Sequence, residues 1–275
     1  MENRTTVLAV GAGCFVLTLI FLLAGFPYDR LESRGVMAIE RVVGGRMSFA
    51  ESEQVFGLSG PAFEWRDVRI TGATARPLDL DRLRARLAWS SSWLRGVPAF
   101  HIELEGPNGS AVGVVSLGSR PSLDGRLEQF DLAVLPDDWT VSGIDLLGLA
   151  DAEIEVTGGD QWLGEVALSV TNGSLSGGRF RSGVPFHELS GKLQLAGDNR
   201  TEITSLHVTG PLLTADITGS IGPAANPGEA PLDLAVELDA DPRATGLLRS
   251  FGIRLRTKGI QHLKVSGTVD APKVR

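Results

Sequence analysis

Leu232-Asp233-Leu234-Ala235-Val236-Glu237-Leu238 places apolar residues at every second position. Successive side chains of a strand point to opposite faces, so this stretch has one greasy face and one wet face. Phe100-His101-Ile102-Glu103-Leu104-Glu105 repeats the pattern, as do Glu153-Ile154-Glu155-Val156 and Glu165-Val166-Ala167-Leu168-Ser169-Val170. Leu263-Lys264-Val265-Ser266-Gly267-Thr268-Val269 follows it near the end of the chain. One-sided strands mark antiparallel sheets, because parallel strands are covered on both faces. The expected fold is mainly β, an elongated and curved antiparallel sheet.

Around these strands the turn signals are short. Asn108-Gly109 and Asn172-Gly173 fall between strand candidates and suit tight hairpin turns. Strand-Gly-strand segments recur at residues 189–197 and 217–222 without a strict period, which predicts a meander of similar hairpins rather than a countable solenoid. Residues 222–231 contain three prolines and read as a mobile loop. One late helix is expected over residues 242–251, with Asp241 as its cap, Pro242 as its first residue and Gly252 as its stop.

The amino-terminal end is of another kind. No charged residue occurs over residues 5–28. A helix of residues 5–26 would be roughly 33 Å long, enough to cross the hydrocarbon layer. Val7, Leu8, Phe15, Leu17, Leu19, Ile20, Phe21 and Leu22 would form its apolar surface. A cleaved signal peptide needs small residues at its cleavage site, and Phe21-Leu22-Leu23-Ala24-Gly25 fits that poorly. Gly11-Ala12-Gly13-Cys14 suggests a lipoprotein signal, but the apolar run continues well past the cysteine. The expected organisation is a tail at 1–4, an uncleaved anchor at 5–27, an amphipathic helix at 28–45 and a β-rich domain at 46–275. Asp29 would cap the amphipathic helix and Gly44-Gly45 would end it. Arg4 alone precedes the anchor, while Arg30, Arg34, Arg41 and Arg46 follow it. That count by itself points the domain toward the cytoplasm.

Composition narrows the function. Charged residues are 21% and hydrophobic ones 43%, in the range of a folded protein rather than a disordered one. The net charge of −7 is uneven: residues 101–250 hold 8 Lys/Arg against 22 Asp/Glu, and residues 251–275 hold 6 against 1. An acidic middle argues against a nucleic-acid reader. The single cysteine, Cys14, leaves no intrachain disulfide.

The search for chemistry returns little. His101, Glu103 and Glu105 share one strand face and could in principle hold a metal, though solvated surface explains them better. Asp79-Leu80-Asp81 and Asp239-Ala240-Asp241 lack the further ligands of a calcium loop and read as turn and cap residues. There is no phosphate-binding glycine loop and no Gly-x-Ser-x-Gly elbow. No catalytic residue, metal or cofactor is expected.

A sheet with one apolar face must cover it, and only two short helices are available after the anchor. That face must pack on the same sheet, on a partner or on lipid. The candidate contact surface is Ile102, Leu104, Ile154, Val156, Val166, Leu168, Leu234, Val236, Leu263 and Val265. Two basic stripes, Arg82, Arg84 and Arg86, then Arg254, Arg256 and Lys258, could touch lipid headgroups or an acidic partner. Ordinary solvated faces and protected edges explain them as well.

The order of several short segments resembles a known family. Phe26-Pro27-Tyr28-Asp29 ends the anchor, and Gly57-Leu58-Ser59-Gly60-Pro61 leads into Val68-Arg69-Ile70. Leu87-Ala88-Trp89 and Leu94-Arg95-Gly96 follow, and Gly267-Thr268-Val269-Asp270-Ala271-Pro272-Lys273-Val274 closes the chain. Over essentially its whole length this layout resembles the type II secretion system protein N (GspN) family, whose β-domain is similar to AsmA-like envelope proteins. The resemblance implies a single-pass inner-membrane protein of a Gram-negative bacterium with its bulk in the periplasm. It implies an AsmA-like groove or open barrel, no catalytic residues, and contacts with other secretion-system subunits. The AsmA-like side implies an alternative, an apolar β-groove that binds or passes phospholipid.

Overall fold

The computed structural model describes residues 45–275 apart from 58–59, 72–76, 89–96, 98, 117–118, 135–143, 160, 178–179, 199, 225–226 and 251–258. It also describes Glu32, Ser33, Val36, Met37 and Glu40, all helical, within the expected amphipathic helix. The expected anchor at 5–27 lies outside the described residues. Among the described residues no helix is long and apolar enough to cross a membrane. The chain divides into two units, Met1–Gly44 and Gly45–Arg275.

The second unit is one antiparallel sheet of fifteen strands. In chain order they are β1 (Arg46–Ser48), β2 (Glu51–Gly57), β3 (Gly60–Thr71), β4 (Leu78–Leu87), β5 (Ala99–Gly106), β6 (Gly109–Ser116), β7 (Ser122–Asp131) and β8 (Ile144–Thr157). They continue as β9 (Leu163–Gly177), β10 (Phe180–Ala196), β11 (Arg200–Thr209), β12 (Leu213–Ile221), β13 (Pro231–Ala240), β14 (Gln261–Thr268) and β15 (Pro272–Val274). From β3 onward every strand pairs with its chain neighbours, the expected meander. β1 and β2 both lie along β3, and they do not pair with β15, so the curved sheet stays open. Along its contour the distance from β3 to β15 is roughly 58 Å at ordinary strand spacing.

Curvature is written into particular residues. Bulges shift the register at Leu127/Phe130, Leu147/Leu149 and Ile203/Leu206. Such insertions bend a strand and raise its twist. At the first, Gln129 takes φ 50°, and Asp151 accepts from both its backbone nitrogen and its Nε2 at 3.0 Å. At Gly191 a Cβ would stand 2.3 Å from Ser205 O, so the neighbouring backbone occupies the space that a side chain would need.

Two turn assignments are corrected. Pro107 and Asn108 do form the β5–β6 turn, with Gly106 opposite Gly109. Asn172-Gly173 instead lies inside β9, where Asn172 takes φ 51° and the Phe186 ring occupies the space a Cβ on Gly173 would fill. Asparagine tolerates the left-handed region, so it serves a bulge as readily as a turn. Asp79 and Asp81 likewise belong to strand β4 and not to a turn, and Arg69 donates to Asp79 at 2.6 Å.

The late helix is present as a 3-10 turn over Pro242–Ala244 running into an α-helix over Thr245–Ser250. Asp241 caps it, accepting from Arg243 N at 2.8 Å. Asp241→Ala should cost about 1 kcal/mol, read as a lower denaturant midpoint at unchanged slope. The proline loop is tied down at its far end: Ala230 is buried, and its carbonyl and that of Gly228 accept from Val269 N and Asp270 N. That end of the loop is thus held by backbone hydrogen bonds to the last hairpin.

Candidate functional site

Cross-strand partners share a face, so the register decides what each face presents. One row runs Ile102, Gly113, Gly125, Ile154, Val166, Leu193, Ile203, Gly219, Leu234, Val265. A second runs Leu83, Leu104, Ala111, Leu127, Ala152, Leu168, Gly191, Leu206, Ile217, Val236, Leu263. A third holds Phe100, Val115, Leu123, Val156, Gly164 and Leu195, then Thr201, Ile221 and Leu232. All ten residues expected at the contact surface fall in these three rows. The outer two are roughly 13 Å apart at strand geometry.

A fourth row, Phe130, Ala150, Val170, Leu189, Val208, Ala215, Leu238, borders them and is covered in two places. Phe186, Leu132 and Leu146 pack around Ala150 and Val170. Ala244 and Leu248 of the late helix pack onto Ala215 and Leu238. In the other three rows Ile102, Leu104, Ile154, Val166, Leu168, Leu234, Val236, Leu263 and Val265 remain half-buried, and Val156 is buried. A single layer therefore carries a wide apolar strip that this unit covers along one margin and at Leu83, Val156 and Ile203.

Leu193, Leu206, Ile217 and Leu127 belong to that strip and were not singled out from the sequence. Their alternation is broken by Gly191, by the bulge between Ile203 and Leu206, and by the bulge after Leu127. The signal that could have found them is a parity switch, with apolar residues three apart at 203 and 206 and again at 127 and 130.

The opposite face carries cross-strand ion pairs. Arg82 donates to Glu105 at 2.7 Å, Lys192 lies 3.4 Å from Glu165, and Arg126 pairs with Glu153. Arg84 and Arg86 both approach Glu103, at 3.7 and 3.8 Å. Of the first basic stripe Arg82 is thus bonded to β5 while Arg84 and Arg86 share Glu103 at longer range, and Glu103 and Glu105 sit among arginines. Arg254, Arg256 and Lys258 lie outside the described residues.

His101 stands in the first of these clusters, a fifth exposed. Burial, and then the Arg86 guanidinium, hold its pKa below the ordinary 6.5. The unfolded chain binds that proton more readily, so stability should fall as pH drops through about 6.5. His101→Gln should flatten this slope in a series of urea midpoints between pH 7 and pH 5.

One further cluster has the look of chemistry. His207 Nδ1 lies 2.6 Å from Asp216 Oδ1, and Thr209 Oγ1 lies 3.0 Å from His207 Nε2. A hydroxyl, an imidazole and a carboxylate in that order can activate a nucleophile. Here they stand on an open sheet face, and β11 is paired with both β10 and β12.

The chain matches no family model, no curated protein and no solved structure.

Proposed function

We propose that this chain is a non-enzymatic protein anchored in the inner membrane by residues 5–27, with its sheet in the periplasm, and that the apolar face receives acyl chains of phospholipid. The observation that supports this is the strip of mostly half-buried leucine, isoleucine and valine crossing β5 to β14, whose rows continue across the bulges. Covering such surface gains about 25 cal/mol per Å² removed from water. An acyl chain covers it without bringing polar groups that would need partners. Each inner strand is paired on both sides, so the face offers shape and greasiness more than hydrogen bonds.

A second reading, an accessory component of the type II secretion system, is supported by the order of segments from Phe26-Pro27-Tyr28-Asp29 to the closing hairpin. In that reading other secretion subunits cover the apolar strip. The exposed Leu147 and Leu149, opposite Ser174 and Thr171 on the other face of β8, add a contact surface for them. The two readings are compatible, since a subunit of such a machine can also hold lipid.

An in-frame deletion separates them. Exported proteins stranded in the periplasm behind an intact outer membrane would support the secretion reading. Normal secretion with a leaking outer membrane, together with stoichiometric phospholipid on the purified full chain, would support the lipid reading. Lipid-free protein from a strain with an intact barrier would exclude it.

A further inference from the structure

Among the described residues two buried side-chain polar atoms lack a hydrogen-bond partner, Arg84 Nε and His101 Nδ1. Both belong to one cluster on β4 and β5, where the register sets Arg84 beside Glu103 and Arg86 beside His101. Orphaned buried polar atoms are uncommon, and two together call for a missing partner. Arg84 Nε can only donate, so the partner it lacks is an acceptor.

Glu103 does not supply it. It stands 3.7 Å from Arg84 Nη1 and 3.8 Å from Arg86 Nε, beyond hydrogen-bond range. It lies 3.3 Å from His101 Nδ1 without the geometry of a bond. Elsewhere on this face three arginines each have a close carboxylate: Arg69 at 2.6 Å from Asp79, Arg82 at 2.7 Å from Glu105, Arg66 at 3.0 Å from Glu64. Arg84 and Arg86 share one. The flanking strands do not make up the difference. On β3, Arg86 is opposite Ala62, and Arg84 is opposite Glu64, whose Oε1 already takes Nε and Nη2 of Arg66. On β6, His101 and Glu103 are opposite Val114 and Val112.

We propose that Arg84, Arg86 and His101 form a binding site for an oxyanion of the phosphate class on the polar face of β4 and β5. Arg84 and Arg86 share Glu103, and Glu64 opposite Arg84 is bonded to Arg66, so guanidinium edges are left that a phosphate's oxygens would match. The side chains are between a fifth and a third exposed, so their outer edges meet solvent while Arg84 Nε and His101 Nδ1 themselves are closed to it. The same chemistry would take a free phosphate ester or a lipid headgroup. The site lies on the face opposite the apolar strip and does not depend on what that strip binds.

The test uses the full chain in an uncharged detergent, titrated with inorganic phosphate against chloride at matched ionic strength. The His101 ring resonances are the readout. They should shift saturably, and the His101 titration midpoint should rise, because a bound anion favours the imidazolium. Arg86→Gln should weaken binding at least tenfold, with Arg86→Lys falling between it and the parent. Glu103→Gln should strengthen binding several-fold by removing the competing carboxylate. Dihexanoyl phosphatidylglycerol binding tenfold tighter than phosphate would identify a headgroup, and equal affinity a small anion. Absence of a saturable shift, indifference to Arg86→Gln in a protein with unchanged circular dichroism, or weaker binding in Glu103→Gln would each overturn the site.

Discussion

Gly164→Val is expected to cost more than about 4 kcal/mol, beyond the range of ordinary single substitutions. Gly164 lies in β9 directly opposite Val156, with φ +147°, where L side chains are rarely found. A Cβ there would stand 2.0 Å from Glu155 O and 2.7 Å from Val156 Cα. Both atoms are backbone of the paired strand, so no side-chain rotation relieves the clash. The ladder must open, and β8 and β9 are among the longest strands of the sheet. Gly246→Ala is the matched control. Gly246 is exposed in the late helix, with nothing within 4 Å of an added Cβ. That substitution should be stabilising by about 0.5–1 kcal/mol. Urea melts of both variants decide the matter, and a parent-like midpoint for Gly164→Val would contradict the close approach of the two strands.

The same residue shows where sequence reading succeeds and where it stops. Period-two alternation is legible wherever neighbouring residues differ sharply in polarity, and Leu232 to Leu238 or Glu165 to Val170 give strand, face and partner class at once. It fails where backbone geometry departs from the regular pleat. β10 runs from Phe180 to Ala196 through Pro185, which reads as a break. Pro185 is tolerated because pairing with β11 begins only at Glu188, so the missing N–H has no ladder bond to lose on that side. The arginine pairs were hidden for another reason. Arg126 and Glu153, or Arg82 and Glu105, are each brought together by register across a single strand connection, and nothing local marks a partner more than twenty residues away. What the sequence conveyed about the site was therefore its chemical character. Which residues adjoin, and which margin is covered by Ala244 and Leu248, came from register and bulges.

Charges placed on the apolar strip should abolish lipid binding without unfolding the sheet. Leu168 and Leu234 lie in adjacent rows and are half-buried, so Leu168→Glu and Leu234→Glu leave each carboxylate a route to water. The expected stability cost is about 1–2 kcal/mol per site, well below that of a charge in a sealed core. An acyl chain lying over the strip has no such escape, since covering the carboxylate would strip its hydration. Phospholipid retained by the doubly substituted full chain should fall at least tenfold in mass spectrometry of the purified protein. Lys192→Gln, on the opposite face beside Glu165, should leave it unchanged. A tenfold loss is about 1.4 kcal/mol of binding free energy, which makes the effect comparable with the stability cost and requires both to be measured on the same preparation. Retention of lipid by a folded double variant would place the lipid elsewhere and leave the strip to a protein partner. Crosslinking from Leu234 of the parent chain would then be expected to capture a secretion subunit, and the doubly charged variant should lose that crosslink.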